Sequence, residues 1–181
     1  YLLTMRGRVR DMIHSYALLF IFVAVVNYLL SSTQGTLEAF RSLQEIWHLT
    51  NFTVGHSHWT MYGFITFAVW GGVYAMLPLA TGKSAGRLGL ALHFWMAVVG
   101  GTIYVLSLSI GGTVQGLDWV HGLPFIQSVV DMQPYWVWRG VGGTLMFLSH
   151  IVFGWNVWRM TYGRQGNAAS PVLGPATEEL A

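Results

Sequence analysis

Four apolar runs, Ile13 to Ser31, Phe52 to Leu79, Leu88 to Gly112 and Tyr135 to Tyr162, pass without a single Asp, Glu or Lys. A bilayer core about 30 Å thick is crossed by about 20 residues of helix at 1.5 Å rise per residue, so each run has the length of a membrane span. Inside lipid the backbone must satisfy its own hydrogen bonds. Runs this long do so as helices, and short alternating segments of the kind that build barrels are lacking. The expected fold is therefore all-α: an integral membrane helix bundle with four transmembrane helices.

The loops give that bundle an orientation. Arg6, Arg8 and Arg10 precede the first run, Lys83 and Arg87 separate the second from the third, and Arg159 and Arg164 close the fourth. The other two connections hold Arg41 beside Glu38 and Glu45, then Asp118 and Asp131 without a basic residue. By the positive-inside rule both termini and the "TGKSAGR" loop face the cytoplasm. Residues 1–164 form the membrane segment, and the polar, proline-bearing 165–181 is expected to be a disordered cytoplasmic tail. Pro78 is expected to close the second helix, and the Gly-Gly pairs at Gly71, Gly100, Gly111 and Gly142 to interrupt the others while allowing close helix approach. No cleavable leader is expected, because the run after "YLLTMRGRVRDM" is too long for a signal core. The first residue, Tyr1, suggests a piece of a longer chain.

Composition removes several function classes. With 54% hydrophobic and 9% charged residues, the profile is far from a soluble globular domain and points to a membrane protein. The chain has no cysteine, which rules out disulfides, thiolate zinc sites and iron–sulfur clusters. The basic residues are scattered near the ends of the apolar runs, so nucleic acid is not an expected partner.

The chemistry concentrates in "TVGHSHW", where His56 and His58 sit one residue apart near the start of the second run. Helical positions two apart are turned by about 200°, so the two imidazoles point to opposite sides and cannot share one metal ion. Each needs its own partner. An axial imidazole to a flat haem suits each face, and the small Gly55 and Ser57 leave room for porphyrin edges. Two irons held this way would stand roughly 15 Å apart, from helix radius plus side-chain reach. The competing reading is a pair of neutral histidines hydrogen-bonded to neighbouring helices. Intramembrane ionisable residues are functional hypotheses by default.

Other polar residues could serve such a site. His48, in an outer loop, could cap haem propionates with help from Asn51, or be an ordinary interfacial histidine. Arg139 starts the fourth helix and could pair with a propionate or a carboxylate, or snorkel to the interface. Tyr28 could belong to a proton path, although capping explains most of the hydroxyls near it. His150 reads as packed and hydrogen-bonded, His93 as structural or interfacial, and His14 and His121 have no evident role.

These residues resemble the catalytic subunit of haem–copper oxidases, through the spacing of His48, His56 and His58. Within that superfamily the chain is most similar to the C-terminal part of the cbb3-type cytochrome c oxidase subunit I. The strings that carry the likeness are "YLLTMRGRVRD", "HLTNFTVGHSH", "GGVYAMLPLATGK", "LHFWMAVVGGTIYVLSLSIGGTVQGLDW" and "MQPYWVWRGVGGTLMFLSHIVFGWNVWRM". The resemblance implies two haems of the b type, with His56 the proximal ligand of the high-spin haem and His58 an axial ligand of the low-spin one. It places His48 and Arg139 near the propionates and Tyr28 near a proton path. It further implies oxygen reduction to water in a bacterial inner membrane, coupled to proton translocation, with electrons from c-type cytochrome subunits. The copper ligands, the cross-linked tyrosine and the second low-spin ligand belong to earlier helices of the family. The chain is thus expected to work with the remaining helices of the catalytic subunit, as part of a longer subunit or as the product of a split gene. Gln34, Thr36, Gln44 and Asn51 stand where the cbb3-type pattern usually has Glu, Pro, Asn and Asp. These departures keep open a nitric oxide reductase on the same scaffold, with non-haem iron for copper. A non-catalytic membrane subunit is a third reading, against which both histidines of the pair stand.

Overall fold

The computed structural model describes residues 6–7 and 9–163. The expected tail at 165–181 lies outside them. All described regular structure is helical. A short α1 (Val9–His14) is followed, after Ser15, by α2 (Tyr16–Glu38), whose first turn is capped by the Ser15 hydroxyl accepting from Leu18 N. A second short helix, α3 (Arg41–Trp47), fills a connection read from sequence as a loop. The second apolar run is one continuous helix in three parts: α4 (Asn51–His58), a π-helical segment (Trp59–Thr66) and α5 (Phe67–Thr81). Two long helices complete the bundle, α6 (Arg87–Val120) and α7 (Phe125–Tyr162).

Among the described residues, three helices are long and apolar enough to cross a membrane: α2, the composite helix Asn51–Thr81, and α6. The helix α7 is longer than any of them, at 38 residues, but mixes its apolar residues with Asp131, Arg139, His150 and Asn156.

The expected helix breaks do not occur. Pro78 lies inside α5, which runs on to Thr81 and ends at Gly82 in the left-handed conformation (φ 67°). That is the usual geometry of a glycine just past a helix end. The Gly-Gly pairs all lie within unbroken helix, and at least one glycine of each pair faces a neighbouring helix closely. A Cβ on Gly100 would stand 2.9 Å from Gly142 O, and one on Gly142 would stand 2.7 Å from Gly100 O. The two glycines therefore set the approach of α6 to α7. Lipid supplies no hydrophobic drive for helix association, so this closeness gains dispersion contacts that bulkier residues would forbid.

The composite helix meets α6 differently at its two ends. Near the histidine pair the backbones touch, with Gly112 seated against Asn51 and Phe52 and Gly55 against Leu108 and Ser109. Toward the other end an aromatic wedge fills the space between α2, α5 and α6. Phe20, with no exposed surface, is its centre. Its ring centroid lies 4.9 Å from His93, 5.1 Å from Phe94, 5.5 Å from Phe67, 5.6 Å from Tyr74 and 5.8 Å from Trp70. Each well-placed aromatic pair adds about 0.5–1.5 kcal/mol beyond its buried area. A polar clamp binds α5 to its neighbours: Tyr74 Oη lies 2.8 Å from His93 Nδ1 of α6 and accepts from Asn156 Nδ2 of α7 at 3.0 Å.

Between these ends lies the π-helical segment. Asn27 of α2 bridges it, donating through Nδ2 to Gly63 O (3.1 Å) and accepting from Trp59 Nε1 (2.7 Å). The bridge holds α2 to the segment and gives Gly63 O a partner outside its own helix. A wider turn also rotates everything after it relative to the histidines before it. π-Turns of this kind recur at functional sites.

Candidate functional site

The helix α4 carries the pair, and its start is anchored on two sides. Thr50 caps it, accepting from Phe52 N (3.2 Å), while Gln115 Oε1 of α6 accepts from both Asn51 N (3.0 Å) and Asn51 Nδ2 (2.8 Å). Asn51 thus ties α4 to α6. Just upstream Leu49 adopts φ 63°, a left-handed conformation that costs a non-glycine residue roughly 1–2 kcal/mol. It lies in the short link between α3 and α4. His48 ends α3 as an exposed residue with Nδ1 3.2 Å from Gln44 Nε2.

His56 and His58 are both half-buried and face different helices. His56 turns to α2: its Nδ1 lies 3.3 Å from Gln34 Oε1. A Cβ on the adjacent Gly35 would stand 3.2 Å from His56 Nε2, so the bare glycine keeps side-chain atoms away from that nitrogen. His58 turns toward α6, its ring 4.7 Å from that of Tyr104, and its Nδ1 lies 2.8 Å from Val54 O of the preceding turn. The Arg139 guanidinium also sits over the Tyr104 ring, 5.9 Å from its centroid.

The tautomers follow from the partners. Amide and peptide carbonyl oxygens only accept, so in both histidines Nδ1 carries the proton and Nε2 keeps its lone pair. That is the state of an imidazole ready to bind a metal, with the other ring nitrogen held by an acceptor. The donor set and the bare Gly35 therefore fit an axial role toward haem iron. His150 shares the pattern, with Nδ1 2.7 Å from Met146 O and its ring against Trp70 (5.3 Å) and Tyr62 (5.8 Å). It is hydrogen-bonded as expected but exposed on α7 rather than packed inside the described bundle. Among the described residues no group of three His, Cys, Asp or Glu side chains could hold a bare metal ion.

The remaining sequence candidates are dispersed. Arg139 is exposed and lies about four turns into α7, at 3.6 residues per turn, because the helix begins at Phe125 rather than near Tyr135. Tyr28 is 49% exposed and meets Phe64 in a tilted ring contact (centroids 4.9 Å apart). His93 is fully buried in the clamp with Tyr74, a structural setting. Sequence reasoning missed Tyr104, Ser109 and Gln115, which lie on α6 more than 40 positions from the pair. Gln34 was noted there only for standing in an unusual place. At the same end of the bundle Glu38 Oε1, Gln44 Oε1 and Asp118 Oδ2 are buried acceptors without a partner among the described residues. Buried acceptors of this kind call for donors from elsewhere.

Residues 1–145 match the family model described as cytochrome c and quinol oxidase polypeptide I. The chain is 27% identical over 189 residues to the cbb3-type cytochrome c oxidase subunit CcoN1 of Stutzerimonas stutzeri, covering 99% of this chain and 39% of that protein. It is 28% identical over 165 residues to the bacteroid cytochrome c oxidase subunit 1 homolog of Bradyrhizobium diazoefficiens, covering 85% of this chain and 30% of that one. The fold is similar to a chain in a cryo-EM structure of a heme–copper terminal oxidase dimer, with a TM-score of 0.68 at 16% identity over 86% of this chain and 28% of the other. The chain thus spans less than half the length of these relatives. From its matched residues and these likenesses, the chain belongs to the cytochrome c and quinol oxidase polypeptide I family, on the cbb3-like side of the haem–copper oxidase superfamily.

Proposed function

We propose that this chain forms part of the catalytic subunit of a membrane-bound terminal oxidase that reduces O2 to water with electrons from c-type cytochromes. One observation carries the reading: two imidazoles on one helix, facing different neighbours, each with Nδ1 held by an acceptor and Nε2 free. His56 would hold the high-spin haem and His58 the low-spin haem, both of the b type. Bound there, the haems would supply electron transfer and oxygen binding beside a copper ion held by residues outside this chain.

The contributions of the chain itself are positional. Gln34 and Val54 hold the imidazole tautomers, and Gly35 keeps side-chain bulk from His56 Nε2. Asn51 with Gln115 fixes the start of α4, and Tyr104 backs His58. His48 and Arg139 are exposed donors at the same end, suited to carboxylate groups such as propionates. In this reading α7 is a fourth span and both termini are cytoplasmic. Protons would enter from the cytoplasm, and the unpartnered acceptors of Glu38, Gln44 and Asp118 would meet other helices of the subunit.

Metal and haem analysis of the purified membrane complex tests the reading. The expected result is two haems with copper, and loss of carbon monoxide binding on His56→Ala. Additional iron without copper would assign the scaffold to nitric oxide reduction, and a complex without haem would make the chain a non-catalytic subunit.

A further inference from the structure

At the end of the bundle opposite the histidine pair, three cations stand together. Lys83 lies in the link between α5 and α6, Arg87 opens α6, and Arg159 belongs to the last turn of α7. Packing and a hydrogen bond draw the link onto α7. Ala85 is buried in the same core cluster as Met160, and Lys83 Nζ donates to Thr161 O at 2.9 Å. That carbonyl is among the last four of α7, which have no partner within the helix. Gly86 admits the third charge: a Cβ there would stand 3.5 Å from Arg159 Nη1.

The described residues supply no counter-charge. Arg87 and Arg159 are exposed and make no ion pair among them. Glu38, Glu45, Asp118 and Asp131 all lie toward the opposite end, in the last turn of α2, in α3, late in α6 and early in α7. Gly86 caps α6 without a side-chain hydrogen bond, so the positive end of a 34-residue helix adds to the same field.

The depth of the cluster is that of a phospholipid headgroup. Trp155 and Trp158 stack at 4.9 Å in the last turns of α7, and both are exposed. Aromatic belts of this kind mark the boundary between hydrocarbon and headgroups. Beside Arg87 begins an apolar stripe along α6, where Leu88, Leu92, Trp95 and Val99 recur at helical spacing and are all exposed.

We propose that Lys83, Arg87 and Arg159 bind the headgroup phosphate of an anionic phospholipid whose acyl chain lies along Leu88, Leu92 and Trp95. Each arginine offers a planar fork that matches phosphate oxygens, and the lysine adds a point charge. A zwitterionic headgroup carries its own cation, which these residues repel, so the site selects net negative charge. The bound lipid ties the link after α5 to the end of α7. The site goes beyond the oxidase reading and does not depend on the haem ligands.

The test uses the purified membrane complex in detergent, depleted of lipid and titrated with phosphatidylglycerol or with phosphatidylcholine of the same chains. Native mass spectrometry counts the bound lipid. Phosphatidylglycerol should be retained in preference to phosphatidylcholine, and less tightly as salt is raised. A cation beside an anionic lipid is worth about fivefold in affinity, so Arg87→Gln and Arg159→Gln should each weaken retention about fivefold and the double variant roughly 25-fold. The single variants carry the test if the double one does not assemble. Arg41→Gln, an exposed charge at the opposite end, should leave retention unchanged. Equal retention of the two lipids, or native retention in both single variants, would overturn the inference. So would an equal loss in Arg41→Gln, which would mark a general charge effect. Displacement of phosphatidylglycerol by inorganic phosphate at matched concentration would make this an anion site without a lipid track, and would overturn it as well.

Discussion

His56 and His58 stand within one turn of α4 yet engage different helices, His56 at Gln34 of α2 and His58 at Tyr104 of α6. The rotation of about 200° between positions two apart is what separates them. The two environments share no side chain among the contacts described, so damage to one should not spread to the other.

Substitutions should therefore split the spectrum. His58→Ala is expected to remove the sharp reduced band of a six-coordinate haem and to block electron entry. His56→Ala is expected to keep that band and to abolish carbon monoxide binding and oxygen reduction. Absorption spectra of the reduced complex, with and without carbon monoxide, decide it. Equal loss of both haems in two stably assembled variants would mean that the histidines share one site.

A second expectation couples helix packing to the His58 side. A Cβ on Gly142 would stand 2.7 Å from Tyr104 N and 2.7 Å from Gly100 O, both backbone atoms that cannot swing aside. Gly142→Ala should thus push α7 from α6, cost about 1–3 kcal/mol as overpacking does, and shift Tyr104 against His58. The low-spin spectrum should change. Gly140, with open space around its would-be Cβ, is the control, and Gly140→Ala should leave spectrum and thermal stability unaltered. A Gly142→Ala complex with native spectrum and native melting would show that the α6–α7 approach is softer than its geometry implies.

Much of this architecture is legible in the sequence because lipid makes it so. A charge-free run must be a helix, and the helix period alone sends His56 and His58 to opposite sides. The helix ends were less legible. Glycine pairs and Pro78 break helices in water, where a freed backbone group finds solvent. Here Gly112 and Gly142 instead admit a neighbouring backbone, and α6 and α7 run straight through. The π-helical segment has no periodic signature, since it depends on Asn27, more than 30 positions away, bridging Trp59 and Gly63. Long-range partners such as Tyr104 and Ser109 leave no local trace either.

The clamp at Tyr74 should matter for stability and not for the haems. Interhelical hydrogen bonds in membrane proteins average about 0.6 kcal/mol, because the separated helices find other partners. Tyr74→Phe is a harsher change, since it strands His93 Nδ1 and Asn156 Nδ2, both on residues at most 1% exposed. Leaving buried polar groups unpaired costs about 1–3 kcal/mol. A lower melting temperature in detergent, with native haem spectra, is the expected outcome. Altered spectra in Tyr74→Phe would show that this end of the bundle communicates with the histidine pair.

The last expectation concerns α7 and the direction of the bundle. Among the described residues three helices have the length and apolarity of spans, which by itself would leave Arg6 and Gly163 on opposite sides of the membrane. A fourth crossing by α7 returns the C-terminal end to the side of the N-terminus. The packing favours that crossing, because Gly100 and Gly142 bring α7 against a membrane-length α6, and Asn156 joins the clamp on α5. The charges agree: Lys83 Nζ donates to Thr161 O at 2.9 Å, so the end of α7 lies beside the basic loop after α5. By the positive-inside rule that loop is expected in the cytoplasm. Reporter fusions after Gly82 and after Arg164 should thus both give cytoplasmic signals, and a fusion near Val120 a periplasmic one. A periplasmic signal after Arg164 with a cytoplasmic one after Gly82 would remove the fourth span. It would also contradict the contact between Lys83 and Thr161, since the two cannot meet across a bilayer.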